Sequence, residues 1–208
     1  MRNAFLPPIP ELDIAASLLD DVVKAVLDND YDSAKKYLIE ADVSEICEYS
    51  ALITGPINLE IHWQTELPPS SVRSEDRAEM RMPSAKVELD IANRDGWRCR
   101  FCEVRVISKK ARNILHNLFP EEARWGRRNH EKHCALAALT SSLDHLLPHS
   151  RGGSNNPENL VTACGPCQFG RNQWTLVEVG FNDPRDRMPM LDSWDGLNRL
   201  LQVKAKIT

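Results

Sequence analysis

Four of the six cysteines form two pairs at identical spacing, Cys99/Cys102 and Cys164/Cys167. Each Cys-x-x-Cys can close on a metal locally. Together they supply four soft thiolates, the donor set of a tetrahedral structural zinc site, with Zn–S distances of about 2.3 Å. In a reducing compartment such pairs remain thiolates rather than disulfides. Four thiolates leave no open coordination position, so chemistry has to be sought elsewhere. Cys47 and Cys134 stand apart and are expected to be buried small hydrophobes. Just before the second pair runs Leu143-Asp144-His145-Leu146-Leu147-Pro148-His149-Ser150-Arg151-Gly152-Gly153, and then Asn159-Leu160-Val161. Hydrolysis of a phosphodiester needs a base to activate water, a cation to stabilise charge in the phosphorane-like transition state, and donors for neighbouring phosphates. His145, with an ordinary pKa near ~6.5, can take a proton from water at neutral pH. Arg151, in a Gly-rich loop, and Arg171, on the helix expected after Cys164, are placed to hold phosphate. His149 is read as a loop residue or hydrogen-bonding partner, the alternative being a second imidazole beside a metal. Neighbours on a strand point to opposite faces, so Asp144 and His145 can act together only if the strand is kinked.

These elements, in this order and continuing into Cys167-Gln168-Phe169-Gly170-Arg171, resemble the core of the His-Asn-His (HNH) endonuclease family. The resemblance covers about residues 94–180. It implies an α+β fold with a ββα-metal nuclease core: a two-stranded hairpin and a helix clasping one divalent ion, here stapled by the four-cysteine zinc site. It implies that Asp144 ligates Mg2+ or another divalent cation such as Mn2+, that His145 is the general base, and that Asn159 supports the hairpin and orients the histidine. The family's third motif position carries His or Asn as a second metal ligand; here it is Gln168, longer by a methylene than Asn, so that a water can intervene. The usual glycine after the basic residue of the helix is replaced by Asn172. The resemblance thus implies metal-dependent cleavage or nicking of DNA, and an effector role in a bacterial defence system or mobile element. The competing reading is a zinc-stabilised nucleic-acid-binding module with a decayed active site.

Positioning these groups requires elements on either side. Leu12, Ala15, Leu18, Leu19, Val22, Val23, Val26 and Leu27 recur at helical spacing, and residues 31–41 repeat the pattern after an Asn29-Asp30 turn, which predicts a helical pair. A third short helix is expected over residues 44–52. The Pro-rich stretch 54–83 reads as a connector with one strand at 58–63. Further helices are expected from Ser84 to the Asp95-Gly96 turn, over 110–119 and over 129–140, and short strands over 143–147 and 159–163. His130 and His133, a turn apart on the expected 129–140 helix, are read as structural rather than as a metal pair. In the tail, Trp194, Leu197, Leu200 and Leu201 can share a helix face. The resulting domain division is 1–53 acidic and helical, 54–83 connector, and 84–208 nuclease with a C-terminal extension.

Charge sharpens the division. The formal net charge is −4, but residues 1–90 hold 8 Lys and Arg against 18 Asp and Glu, net −10, and residues 91–208 hold 18 against 12, net +6. A basic half suits a polyanion, and Arg98, Arg100, Arg105, Lys109, Lys110 and Arg112 around the first knuckle suggest a path for the phosphate backbone. The acidic helices are candidates for a protein partner. The chain has no run of about 18 apolar residues and no leader-like start, so a cytoplasmic protein with no membrane contact is expected.

Overall fold

The computed structural model of the protein describes residues 5–54, 71–77 and 82–203. The strand expected over 58–63 lies outside the described residues, as does most of the connector.

The chain enters α1 (Pro10–Leu27) through a proline at the first helical position, where the missing N–H costs nothing, with Glu11 and Asp13 in the first turn and Lys24 in the last. Leu12, Leu19, Val22 and Val23 are buried along one face. Asn29 takes a positive φ of 61° to turn the chain, and Asp30 accepts the Ser33 amide to cap α2 (Tyr31–Ala41). Next comes α3 (Ser44–Thr54), which packs against the segment carrying the second cysteine pair and the helix before the hairpin. No described helix is long and apolar enough to cross a membrane.

Ser84 caps α4 (Ala85–Arg94). The expected Asp95-Gly96 turn comes after it, with Gly96 at φ +64°, where a Cβ would collide with the Met190 carbonyl oxygen. The first knuckle then folds on itself, the Glu103 amide donating to the Cys99 carbonyl and the Cys99 amide to that of Val104. Ser108 caps α5 (Lys109–Leu118). The helix expected over 129–140 is divided: a 3-10 turn at Asn129–Glu131 precedes α6 (Cys134–Leu139). The break is His133, which is extended and caps α6, its Nδ1 accepting the Leu136 amide while Nε2 bonds the Leu38 carbonyl. It is the satisfied structural histidine expected, and His130 is exposed.

Strands β1 (Ser142–His145) and β2 (Leu160–Ala163) pair antiparallel, Asp144 opposite Val161 and His145 opposite Leu160. The outer edge of β2 is covered: the Thr162 amide donates to Asp95 Oδ2, and the Arg100 amide to the Thr162 carbonyl. The chain continues into α7 (Gly165–Arg171) and the single turn α8 (Leu176–Val179). The fold is thus mixed, helices around one small two-stranded sheet.

Two expectations about packing are corrected. Cys47 of α3 and Cys134 at the start of α6 are not independent hydrophobes but a disulfide, Cα–Cα 5.0 Å, because the two helices pack face to face there. In the tail, Leu197 at φ +63° breaks the expected helix into a 3-10 turn at Asn198–Leu200; Trp194, Leu197 and Leu200 are buried, but Leu201 is not. Core packing also crosses the boundary drawn at residue 53, since buried residues of α1, α2 and α3 share one cluster with Phe101, Leu139, Cys167 and Leu200.

Candidate nuclease site

Cys99, Cys102, Cys164 and Cys167 converge, with all four Sγ atoms within 4.8 Å of one another. Cys102 and Cys164 Sγ are 3.7 Å apart, close to the edge of about 3.8 Å that a tetrahedron with Zn–S bonds of about 2.3 Å requires. Burial opposes ionisation of Cys99, but hydrogen bonds from the Cys102, Cys164 and Cys167 thiols hold it well below the usual thiol range. Its neighbours are driven the other way, Cys164 and Cys167 being pushed well up, each most of all by hydrogen bonding to Cys102. Without a cation, then, the cluster accommodates negative charge poorly. The donor set fits zinc.

A cavity of about 240 Å³ lies beside the end of β1. Asp144, His145, Pro148, His149, Ser150, Arg171, Asn172, Gln173 and, from the connector, Arg77 line it. Asp144 and His145 reach the same cavity because β1 ends at His145 and the Asp144 carboxylate folds back onto the His145 amide, 2.9 Å from Oδ1. Asn159 braces the loop between the strands: its Oδ1 accepts the Leu147 amide, and its Nδ2 donates to the Leu147 and Ser154 carbonyls. The loop is so tight here that a Cβ on Gly153 would collide with the Leu147 carbonyl oxygen. Among the described residues no hydrogen bond joins the Asn159 side chain to the histidine. That contact belongs to Asn155, whose Oδ1 is 2.8 Å from His145 Nε2; with this oxygen accepting, Nε2 carries the proton and Nδ1 is the basic nitrogen. Burial pushes the His145 pKa down, and the Asn155 bond and the Asp144 charge oppose the shift. The His149 ring is 6.1 Å from that of His145, edge to face.

Arg171 takes a different place from the one expected. It is 1% exposed and its guanidinium spans from α7 to β1: Nε donates to Asp144 Oδ2 at 2.7 Å, Nη2 to Asp144 Oδ1 and to the His145 carbonyl, and Nη1 to the Trp174 carbonyl. With its guanidinium committed inside the protein, it positions Asp144 rather than phosphate. Burial pushes the Asp144 carboxyl up, against the pull of Arg171 and the His145 amide. A carboxylate has about four acceptor positions; Arg171 and the His145 amide take both on Oδ1 and Arg171 one on Oδ2. One remains, so Asp144 fits a divalent cation as a single-oxygen ligand. Gln168 is half-buried and does not line the cavity; Arg171, one turn on, occupies the space between α7 and β1. Asn172, where the resemblance leads one to expect glycine, has φ +51° and ψ −124°, outside the left-handed helical region that asparagine tolerates and strained for any residue but glycine.

The other basic candidates are also committed. Arg151 pairs with Glu178 through both Nη groups at 3.0 and 3.2 Å. Arg98 pairs with Asp192 at 2.6 Å, and the buried Arg100 donates to the carbonyls of Pro184 and Arg187. Around them, Arg105 bonds the Asp13 carbonyl and Ser17, Lys109 pairs with Glu88, and Arg112 stacks over Trp125. The positive patch of the first knuckle is largely spent on holding the tail and α1 in place. A larger cavity, about 640 Å³ between α4, α5 and the tail, contains none of the motif residues. Sequence reasoning missed Arg77, Asn155 and Gln173 at the site; only Asn155, in the loop after Gly153, lay within the motif.

No curated protein and no solved structure matches the chain. The family model described as HNH endonuclease matches residues 131–168, a stretch that runs from the turn before α6 through both strands to the second cysteine pair. The matched stretch is similar to that family and contains Asp144, His145, Pro148, His149 and Ser150 of the cavity beside β1.

Proposed function

We propose that the protein is an HNH endonuclease that hydrolyses phosphodiester bonds of DNA, with structural zinc on the four cysteines and Mg2+ or Mn2+ at the cavity beside β1. The observation that carries this reading is the meeting of His145, His149 and Asp144 in one cavity within the family-matched segment. His145 Nδ1 takes the proton of the attacking water. Asn155 holds the imidazole, Arg171 holds Asp144, and Asn159 with Gly153 fixes the loop that carries His149. The free acceptor position on Asp144 Oδ2 would hold the divalent cation, which supplies Lewis-acid stabilisation of charge developing on the phosphate and leaving oxygen. In this reading Gln168 contributes only through water. In this reading β1, β2 and α7, met in that order along the chain with two 3-10 turns between the strands, would form the ββα-metal core. A cytoplasmic effector of a bacterial defence system or mobile element, with a protein partner on α1–α3, belongs to the same proposal.

The competing reading, a nucleic-acid-binding module without catalysis, draws on the same ion pair, since Arg171 neutralises the carboxylate on which the cation would rest. Supercoiled plasmid incubated with Mg2+, Mn2+ or EDTA separates the two. Metal-dependent nicking is expected, falling about 10²–10⁴-fold in His145→Ala with folding and zinc content intact, and falling less in Gln168→Ala. Plasmid binding without nicking under any metal would favour the module.

A further inference from the structure

Arg77 belongs to the connector, far in sequence from the motif, yet it lines the cavity with Asp144, His145, His149 and Arg171. Two hydrogen bonds put it there. The Val72 amide donates to the Ser150 carbonyl at 2.9 Å, which ties this segment to the 3-10 turn His149–Arg151. Arg77 Nε then donates to the Val72 carbonyl at 2.7 Å. With Nε fixed, the plane of the guanidinium is set and its two Nη groups remain as a fork. Among the described residues those Nη groups have no hydrogen-bond or ion-pair partner.

This distinguishes Arg77 from the arginines that the sequence singled out for phosphate. Arg98, Arg100, Arg151 and Arg171 all have guanidinium Nη groups committed to carboxylates or carbonyls of the protein. Within the cavity the charge of Arg171 is balanced by Asp144, so among the described lining residues Arg77 is the arginine whose charge has no ion-pair partner. A planar fork with two free donors matches two oxygens of one phosphate.

We propose that Arg77 is a catalytic residue of this site, holding the phosphate of the scissile bond through both Nη groups while His145 activates water. This rests on the nuclease reading above. Negative charge grows on the non-bridging oxygens as the water oxygen bonds to phosphorus and the bond to the leaving oxygen breaks, so donors already aimed at those oxygens bind the transition state more tightly than the substrate. The connector thereby completes a site that the hairpin leaves without a free phosphate-binding cation among the described residues.

The test is single-turnover cleavage of a DNA duplex by the full chain and its Arg77 variants, at matched zinc content and melting temperature. Arg77→Ala is expected to slow cleavage about 10²–10³-fold. Arg77→Lys should recover only part of this, because a point charge cannot bond Val72 and two phosphate oxygens in one plane. Methylguanidinium added to Arg77→Ala should restore part of the rate, a response that a merely structural arginine would not give. Cleavage by Arg77→Ala at the wild-type rate, or a loss that methylguanidinium leaves unchanged, would overturn the proposal. If the wild type cleaves nothing with any divalent cation, the nuclease reading fails by itself. Metal-free binding of the same duplex then decides the matter: weaker binding by Arg77→Ala supports the phosphate contact, and equal binding overturns it.

Discussion

In α1, Leu12, Leu19, Val22 and Val23 are buried among apolar neighbours, whereas the residues buried in the hairpin region include Asp144, His145, Thr162 and Arg171. The first region is held by an apolar helix face, a force that is non-directional and tolerant of detail. The second has two strands of four residues each, too little sheet to stand alone. It depends on directional contacts: a thiol cluster, an ion pair, and a loop cinched by Asn159. The candidate site thus sits on the part of the molecule least able to support itself, and the acidic helices supply the packing it lacks. Buried residues of those helices share one core cluster with Phe101, Leu139, Cys164 and Cys167 beside the hairpin.

Zinc removal should break the comparison most sharply. Structural zinc carries apparent binding free energies of about 10–16 kcal/mol in small domains, so chelation or Cys164→Ser should abolish cleavage and expose amides of 99–103 and 160–171 to hydrogen exchange. Amides of α1 and α2 should keep much of their protection; simultaneous loss in both regions would show a single cooperative unit with no difference in what holds it.

The buried ion pair comes next. Truncating one partner of such a pair typically costs about 3–5 kcal/mol because the other is left charged and alone. Arg171→Ala should therefore lower stability by that order in urea denaturation, and Asp144→Asn by less, since an amide still accepts from the guanidinium. A near-neutral Arg171→Ala would mean that the pair does not hold β1 to α7.

The disulfide joins the two regions directly. It links residues 87 positions apart, in α3 and α6, and linkages of this kind contribute about 2–4 kcal/mol. Cys47→Ala should lower the melting temperature in the absence of reductant, and reductant should lower that of the wild type to match. If reductant changes nothing in the wild type, the two thiols are not bonded in solution.

The smallest expected effect is one of pH. His133 contacts the Leu38 carbonyl of the helical region, and its pKa is pushed below the ordinary value by burial, with Asp42 opposing. The folded state thus binds fewer protons than the unfolded one as pH falls below about 6.5, so stability present above that pH should decline toward the lower folded-state pKa. Urea midpoints measured from pH 7.5 down to 5 should show this slope in the wild type and a shallower one in His133→Gln; parallel slopes would assign it to other groups.

What the amino-acid sequence determined by itself was local. Apolar spacing and turn dipeptides placed α1, α2, α4 and α5 to within a residue or two, because the helix period and the turn are properties of short segments. The two Cys-x-x-Cys pairs marked the cluster for the same reason. Tertiary structure alone decided where long side chains spend their charge. Arg171 and Gln168 share a short helix, but whether either meets a cation depends on what lies across the gap to β1. The sequence cannot reveal that Arg151 finds Glu178, that Arg100 finds the tail, or that Cys47 finds Cys134. Arg77 is the clearest case: it carries no motif, and hydrogen bonds from Val72 to Ser150 and from Arg77 to Val72 bring it to the cavity. Arginine has a long flexible stem and a strongly directional head, so its partner is chosen by the whole fold rather than by its neighbours in the chain.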